Sequence, residues 1–490
     1  MKKWTSLLLA LVLALSLIPS AFAEEPYTVK VMLIKQTKLD DLDRVVEAIN
    51  EITLEKINCK FEPIYVDSAN FVEQVTLMLA SGEELGLIET GGWLNYASEV
   101  ANGMLLPLDD LLATYAPSVI ENVPEEVLSV PKVNGKLYCV PTCRDWATEY
   151  TYFVRKDLVE KYNIDVNSVH GYEDLTDIFK VITEGEGIPA VSYQEAGKSL
   201  WTNMLNTKFD YLDNYLGVLP YDGTYNIVNL WESETTKYYL NLIRQWYLAG
   251  YIPADLATAQ TTSQEMVKAG VVAGYLAKWK PGFDEKESLV IGCDMVSIRF
   301  SDVMQTSNTI CNICYAIPVT CSQPEKAAQM LDIMWGNADY MNLMSFGFEG
   351  EHYVFEDKDA GVITYPEGIS SENAKYSPQS GWMYGNQFLG YVFSPAPGST
   401  WEDTIAFNNS AISSPGRSLA TGIVFDMKAV KTQVSACQNV LTKYERALGN
   451  GSVDPDEYMP RLIDELKAAG IDDIIAEKQA QLNAWLAAKE

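Results

Sequence analysis

Apolar positions along the chain switch between the period of a strand and that of a helix. YTVKVMLI, from Tyr27 to Ile34, is a short β-branched run, and the segment after it places Leu42, Val45, Val46, Ile49 and Ile52 on one helical face. CKFEPIYV, from Cys59 to Val66, predicts a second strand, with a proline that suits an edge or a bulge. A second helix follows, with Phe71, Val72, Val75 and Leu79 on one face, and LGLIET then predicts a third strand. Strand, helix, strand, helix, strand is the pattern of a parallel, doubly wound sheet, whose ligands lie beyond the carboxyl ends of the strands. Glu89, Thr90 and Trp93 fall at that position. Gly91 and Gly92 between them would bring the backbone close to a ligand; the competing reading is a turn, with Trp93 capping the core.

After Cys143 the texture changes. RDWATEYTYFVRKDLVEKYNID carries an alternating run from Glu149 to Arg155 and then a helix, and Trp201, Trp231, Trp246 and Trp279 follow in one long stretch. This predicts a second lobe. ICNICYAIPVT, beginning at Ile310, is again a short apolar run. A helix starting at Pro324 follows it and carries Ala327, Met330, Leu331 and Met334. If that run rejoins the first sheet, the chain crosses between lobes more than once. The tail is helical: Asp454 and Pro455 form an N-cap and first-turn pair, Gly470 marks a stop, and Ile471, Ile474, Ile475, Leu482, Trp485 and Leu486 share a helical spacing.

The first residues, MKKWTSLLLALVLALSLIPSAFA, combine a basic start, an apolar stretch and a small-x-small ending, the layout of a secretory signal cleaved after Ala23. No cysteine stands at that point, so a lipid-modified N-terminus is not indicated. At 490 residues the chain exceeds one ordinary domain, and two lobes are the natural expectation. A formal charge of -30 repels phosphate backbones and anionic lipid, which argues against nucleic acid or a membrane face as partner. Eight cysteines permit disulfides in an oxidising compartment without fixing their pairing. Cys311 and Cys314 have C-x-x-C spacing, but no second well-spaced pair accompanies them and the only histidines are His170 and His352, so neither a metal site nor a cofactor is expected.

Catalytic patterns are missing. There is no G-x-S-x-G elbow and no H-E-x-x-H. AGKS, at Ala196 to Ser199, imitates the end of a phosphate loop, but Ser192 stands where its first glycine belongs. EDKDAG at Glu356 and IDVNSVHG at Ile164 misplace the acidic residues and glycine of a calcium loop. Paired carboxylates for glycoside hydrolysis cannot be selected among 66 acidic residues without their separation in space. What the loops do offer is rings and amides: Trp93, Trp146, Trp279 and SGWMYGNQF, from Ser380 to Phe388. Sugars present apolar C–H faces and many hydroxyls, so their sites combine flat rings with carboxylates, amides and arginine.

Five segments in order resemble one family. They are FVEQVTLMLASGEELGLIET, NGKLYCVPTCRDWATEYTYFVRKDLVEKYNI, FGFEGEHYVFED, GNQF, and the tail from Thr421 to Leu486. The chain is similar to the extracellular solute-binding proteins, family 1, that deliver ligands to ABC importers. It most closely resembles the LipO-like branch, which ends in a domain of unknown function. The resemblance implies an α/β, two-lobed, type II periplasmic-binding-protein-like fold with a helical C-terminal tail, closing on its ligand by hinge motion. Residues 24–143 and 307–348 would form the N-terminal lobe, and residues 144–306 and 349–490 the C-terminal lobe. Crossings are expected near Val140 to Trp146, Ser301 to Asn308, and Phe346 to Glu351, with Glu349 and His352 as hinge residues. Glu89, Thr90 and Trp93 would face the cleft from the first lobe, and Arg144, Asp145, Trp146, Trp279, Trp382, Tyr384 and Asn386 from the second.

The implied function is capture of a carbohydrate, above all an oligosaccharide, by a monomer that passes it to importer permease subunits. Two alternatives remain: a peptide or amino-acid-derived ligand, and an exported carbohydrate-active enzyme. Many members carry a lipobox cysteine where this chain has Ala-Phe-Ala, which leaves either the periplasm or the outer face of the cell membrane as its location.

Overall fold

The computed structural model describes residues 25–194 and 198–489; the expected signal segment and Ala196 and Gly197 of the AGKS stretch lie outside them. The first sheet has the order Cys59–Val66, Tyr27–Ile34, Leu87–Thr90, Cys314–Ala316, Val140–Pro141. Its first three strands are parallel, as the alternating pattern requires, and Pro63 sits on the edge strand, where its missing N–H costs nothing. ICNICYAIPVT does rejoin this sheet, running antiparallel to both of its neighbours. Val45 and Ile49 of the helix Leu42–Ile57, Phe71, Val75 and Leu79 of the helix Phe71–Ser81, and Ala327, Met330, Leu331 and Met334 of the helix Pro324–Gly336 are buried in one core with these strands.

The second sheet has the order Met295–Arg299, Glu149–Arg155, Gly274–Trp279, Val191–Tyr193. Three of the tryptophans in the dense stretch, Trp201, Trp231 and Trp246, fill its core. The tail helices Lys431–Gly449, Pro455–Ala468 and Ile471–Ala487 close the same core through Leu441, Leu448, Leu462, Leu466, Ile471 and Ile474. The Asp454 carboxylate accepts from the Asp456 N–H, the N-cap the sequence predicts. Among the described residues, no helix is long and apolar enough to cross a membrane.

The chain passes from one core to the other and back. Trp146 still belongs to the first core and Tyr152 to the second, and the chain returns between Ile298 and Ile310. The two strands of passage pair: Thr148 and Met304 exchange N–H···O bonds of 3.0 and 2.8 Å, and Gln305 bonds the parallel segment at Gly416 and Ser418 over 3.1 and 2.8 Å.

The third crossing is not at Phe346 to Glu351. Tyr376, Met383 and Tyr384 are buried in the first core, and Leu389 packs against it, so the chain changes lobe only after that point. The second-lobe boundary expected at residue 349 moves with it. Between Phe346 and Phe393 a three-stranded sheet of Val354–Asp357, Val362–Thr364 and Val392–Phe393 closes over Phe346, Tyr353 and Ile363. Glu349 and His352 stand at the foot of this excursion rather than between lobes. His352 Nδ1 accepts the Phe348 N–H at 3.0 Å, which puts the ring hydrogen on Nε2, donating to Asp41 at 3.0 Å. Arg44 forks onto Glu351 at 2.9 and 3.1 Å and reaches Asp41 at 3.3 Å. Asp41, Glu351 and His352 are the one group among the described residues with ligand atoms close enough for a metal, and the Arg44 guanidinium already supplies their cation.

All eight cysteines are free thiols, seven of them buried.

Candidate functional site

A cavity of about 1150 Å³ opens at the crossings, lined by both lobes and by the small sheet. Its centre is a charged triad. Arg144 points Nε and Nη2 at the Asp145 carboxylate, each at 3.3 Å, and Lys280 Nζ donates to the same carboxylate at 2.9 Å. Burial would raise the Asp145 carboxyl, but the two cations outweigh it and hold the group down to about 2. Lys280 is pushed in the opposite sense: burial lowers its ammonium against the pull of Asp145. Arg144 Nη1 donates to Asn312 Oδ1 at 3.1 Å, and the guanidinium lies 4.7 Å from the centroid of the Trp382 ring. Asn408, on the helix Thr400–Ala411, grips the same stretch of chain: it accepts from the Trp146 N–H at 2.8 Å and donates to the Arg144 carbonyl at 2.7 Å.

Trp279 ends its strand at the cavity, with Nε1 donating to Asp284 at 3.0 Å and Arg299 packed 4.0 Å over the ring. Farther in, Tyr211 and Tyr215 stack at 5.0 Å and 24°, and Trp201 meets Tyr215 edge-on at 4.9 Å. The loop bearing the tyrosines holds Leu212, Asp213 and Tyr215 at φ of 43°, 80° and 57°, a region costly for residues other than glycine. Lys478 of the last tail helix, fully buried, reaches into it and donates to the Leu212 and Gly217 carbonyls and to Asn214 Oδ1, at 2.7, 3.0 and 2.8 Å.

Of the ten expected ligand contacts, Arg144, Asp145, Trp279 and Trp382 line this cavity. Glu89 and Thr90 do not; both are fully buried in the first core. Glu89 accepts from the Ile34 N–H at 2.6 Å and from the Tyr315 hydroxyl at 3.3 Å, and burial pushes its carboxyl up to about 8 against those two donors. Thr90 donates to Glu99 at 2.6 Å, and burial raises Glu99 to about 7. Gly91 and Gly92 make room for the chain's own segment rather than for a ligand: a Cβ would stand 2.5 Å from the Asn312 carbonyl at Gly91 and 2.3 Å from Asn308 Oδ1 at Gly92. Trp93 is 49% exposed, outside the cavity lining, its Nε1 donating to the Asn312 carbonyl at 2.8 Å.

Trp146 is buried, with Nε1 donating to the Thr142 carbonyl at 2.8 Å. Tyr384 is buried in the first core, and Asn386 caps the turn at Phe388 while donating to the Trp335 carbonyl at 3.3 Å. Within the GNQF block Gly385 and Asn386 are therefore structural, while Gln387 lines the cavity: at Gly385, φ 121°, a Cβ would meet the Met334 carbonyl at 2.4 Å.

Sequence reasoning missed Lys280, Asn312, Gln379, Trp401 and the Tyr211 and Tyr215 pair, all in the lining, and reached Gln387 only as part of SGWMYGNQF. Lys280 directly follows a singled-out tryptophan, and the tyrosines repeat at a four-residue spacing; Asn312 and Gln379 gave no signal of their own.

Residues 39–289 match the family described as bacterial extracellular solute-binding protein, and residues 419–487 match a domain of unknown function, DUF3502. The chain is 24% identical to a carbohydrate ABC transporter substrate-binding protein of Streptococcus pneumoniae serotype 4, over 92% of this chain and 90% of that one. The crystal structure of the N-glycan transport solute binding protein NgtS from Streptococcus pneumoniae superposes with a TM-score of 0.81 at 23% identity, covering 95% of this chain and all (100%) of the other. The same protein in complex with Man5GlcNAc gives 0.69 at 22% identity, covering 95% and 99%. The alginate-binding protein AlgQ2 without calcium ion gives 0.60 at 15% identity, covering 94% and 99%. The two-lobed fold thus agrees with these neighbours, and by the match over residues 39–289 the chain belongs to the bacterial extracellular solute-binding protein family.

Proposed function

We propose that the protein captures a carbohydrate, an oligosaccharide in particular, in the cavity between its lobes and passes it to the permease subunits of an ABC importer. The observation that carries this reading is the make-up of the cavity: Trp382, Trp279, Trp401 and the stacked tyrosines supply flat faces, while Asn312, Gln379, Gln387 and the Arg144, Asp145 and Lys280 triad supply hydrogen bonds. A micromolar complex corresponds to about -8 kcal/mol, within reach of stacked rings and charge-assisted hydrogen bonds after ordering costs. The relative of 24% identity and the NgtS complexes support the carbohydrate class. The protein acts as a receptor and not as an enzyme, in keeping with its family.

Closure pivots on the paired passages Thr148 with Met304 and Gln305 with Gly416. The protein works as an exported monomer, in the periplasm or on the outer face of the cell membrane. Titration calorimetry against an oligosaccharide panel, with small-angle scattering of the same samples, tests this reading. Heat and a decrease in radius of gyration with at least one glycan are expected; binding of peptides alone, or glycan cleavage overnight, would overturn it.

A further inference from the structure

The cavity inverts the charge of the molecule around it. The chain carries 66 acidic and 36 basic residues. Among the described residues, however, the cavity is lined by six cations, Arg144, Lys198, Lys268, Lys278, Lys280 and Lys286, and by three carboxylates, Asp145, Glu287 and Glu445. Each carboxylate is already engaged by a donor or lies beside cations. Asp145 is clamped by Arg144 and Lys280. Glu287 is buried and accepts from Gln264 at 2.6 Å and from the Tyr275 hydroxyl at 2.9 Å. Burial raises the Glu445 carboxyl against the attraction of Lys198 and Arg446.

Lys198, Lys268, Lys278 and Lys286 are exposed, and among the described residues none has an acidic partner within 4.0 Å. They come from separate parts of the second lobe: the chain before the helix at Trp201, the end of the helix Ser263–Lys268, the strand Gly274–Trp279 and the helix Phe283–Ile291. The first-lobe wall opposite them is neutral, with Asn308, Asn312, Gln379, Gln387 and Trp382. Ammonium groups gathered in a cleft with low-dielectric walls focus a positive potential there, even on a protein whose far field is negative. A neutral sugar gains little from such a wall and a cationic peptide is repelled, whereas an anionic substituent gains charge-assisted hydrogen bonds.

We propose that the guest is an anionic oligosaccharide, its acidic substituents lying against the second-lobe lysines and its ring faces and hydroxyls against the neutral first-lobe wall. This rests on the reading of the cleft as an oligosaccharide site. Calorimetry with size-matched pairs tests it: a tetrameric uronate with its carboxyl-reduced neutral form, and a sulfated tetrasaccharide with its desulfated form, so that the two arms separate a carboxylate from a sulfate guest. At about 50 mM salt the charged member of one pair binds at least tenfold tighter, and the gap narrows severalfold at about 500 mM. The double substitution Lys278→Gln with Lys286→Gln removes most of the gap, as does Lys268→Gln in part, while the melting temperature of the unliganded protein reports that the variants fold. Neutral members binding as tightly as charged ones, or a preference that survives the lysine substitutions, would overturn the proposal while leaving the oligosaccharide reading in place. No heat with any saccharide would remove both.

Discussion

Lys280 Nζ stands 2.9 Å from Asp145 Oδ1, tying the end of a second-lobe strand to the first passage between lobes. Because Asp145 is held down to about 2, below the ordinary value near about 4, its contribution to stability is present above about pH 4 and is lost as pH falls through 2. Asp145→Asn therefore lowers the melting temperature at pH 7, and the difference from the parent disappears near pH 2. Thermal denaturation across pH checks this, and calorimetry shows at least a tenfold loss of ligand affinity at pH 7.

Glu89 and Glu99 have the opposite sign. Their folded values, about 8 and about 7, lie above the ordinary glutamate value, so the folded state holds more protons and stability declines as pH rises from about 4.5 through 8. Each group contributes a slope of up to about 1.4 kcal/mol per pH unit inside its window. Glu89→Gln flattens that decline in denaturant titrations and leaves ligand affinity within twofold, as expected for a residue sealed in the first core. A tenfold loss of affinity would return Glu89 to the cleft.

Trp382 and Trp93 make a matched pair. Trp382→Ala removes a ring from the cavity lining and the face on which Arg144 rests, and lowers affinity tenfold or more with a modest change in melting temperature. Trp93→Ala changes affinity by less than threefold. Titration of both variants with one glycan decides between them.

Lys478→Met leaves the buried Leu212 and Gly217 carbonyls without this donor and removes one of two donors to Asn214 Oδ1, in a backbone already held at positive φ. The expected loss is about 3 kcal/mol of unfolding free energy, with weakened binding because Tyr211 and Tyr215 lose their support. Chemical denaturation and calorimetry measure the two effects separately.

The outline of the fold was legible because hydrophobic period reports burial directly: the first three strands, their helices and the capped tail all follow from spacing. The strand-end rule located Glu89 and Thr90 at the correct end of the sheet, but their exposure depended on Tyr315, from a strand more than two hundred positions away in sequence, and on the Ile34 N–H, neither of which local pattern reveals. The return of Tyr376, Met383 and Tyr384 to the first core was hidden for the same reason, since a loop of isolated aromatics has no period. Arg144, Asp145, Trp279 and Trp382 were named from the family resemblance, the two tryptophans also as rings in loops, and all four stand in the cavity lining. The second-lobe lysines went unread among the many charges of the chain, because only folding gathers them on one wall.

The passages between lobes are joined by main-chain groups, with Thr148 and Met304 paired in both directions and Gln305 bonded to Gly416 and Ser418. Such a joint makes a strict demand on amide hydrogens and on Gly416, where a Cβ would stand 2.6 Å from the Val303 carbonyl, but little on side-chain identity elsewhere, so a pivot here can drift in sequence at its other positions wherever proline is kept out. Relatives would then keep one swing axis while their cavity walls diverge, and a single mechanical part could serve many different cargoes.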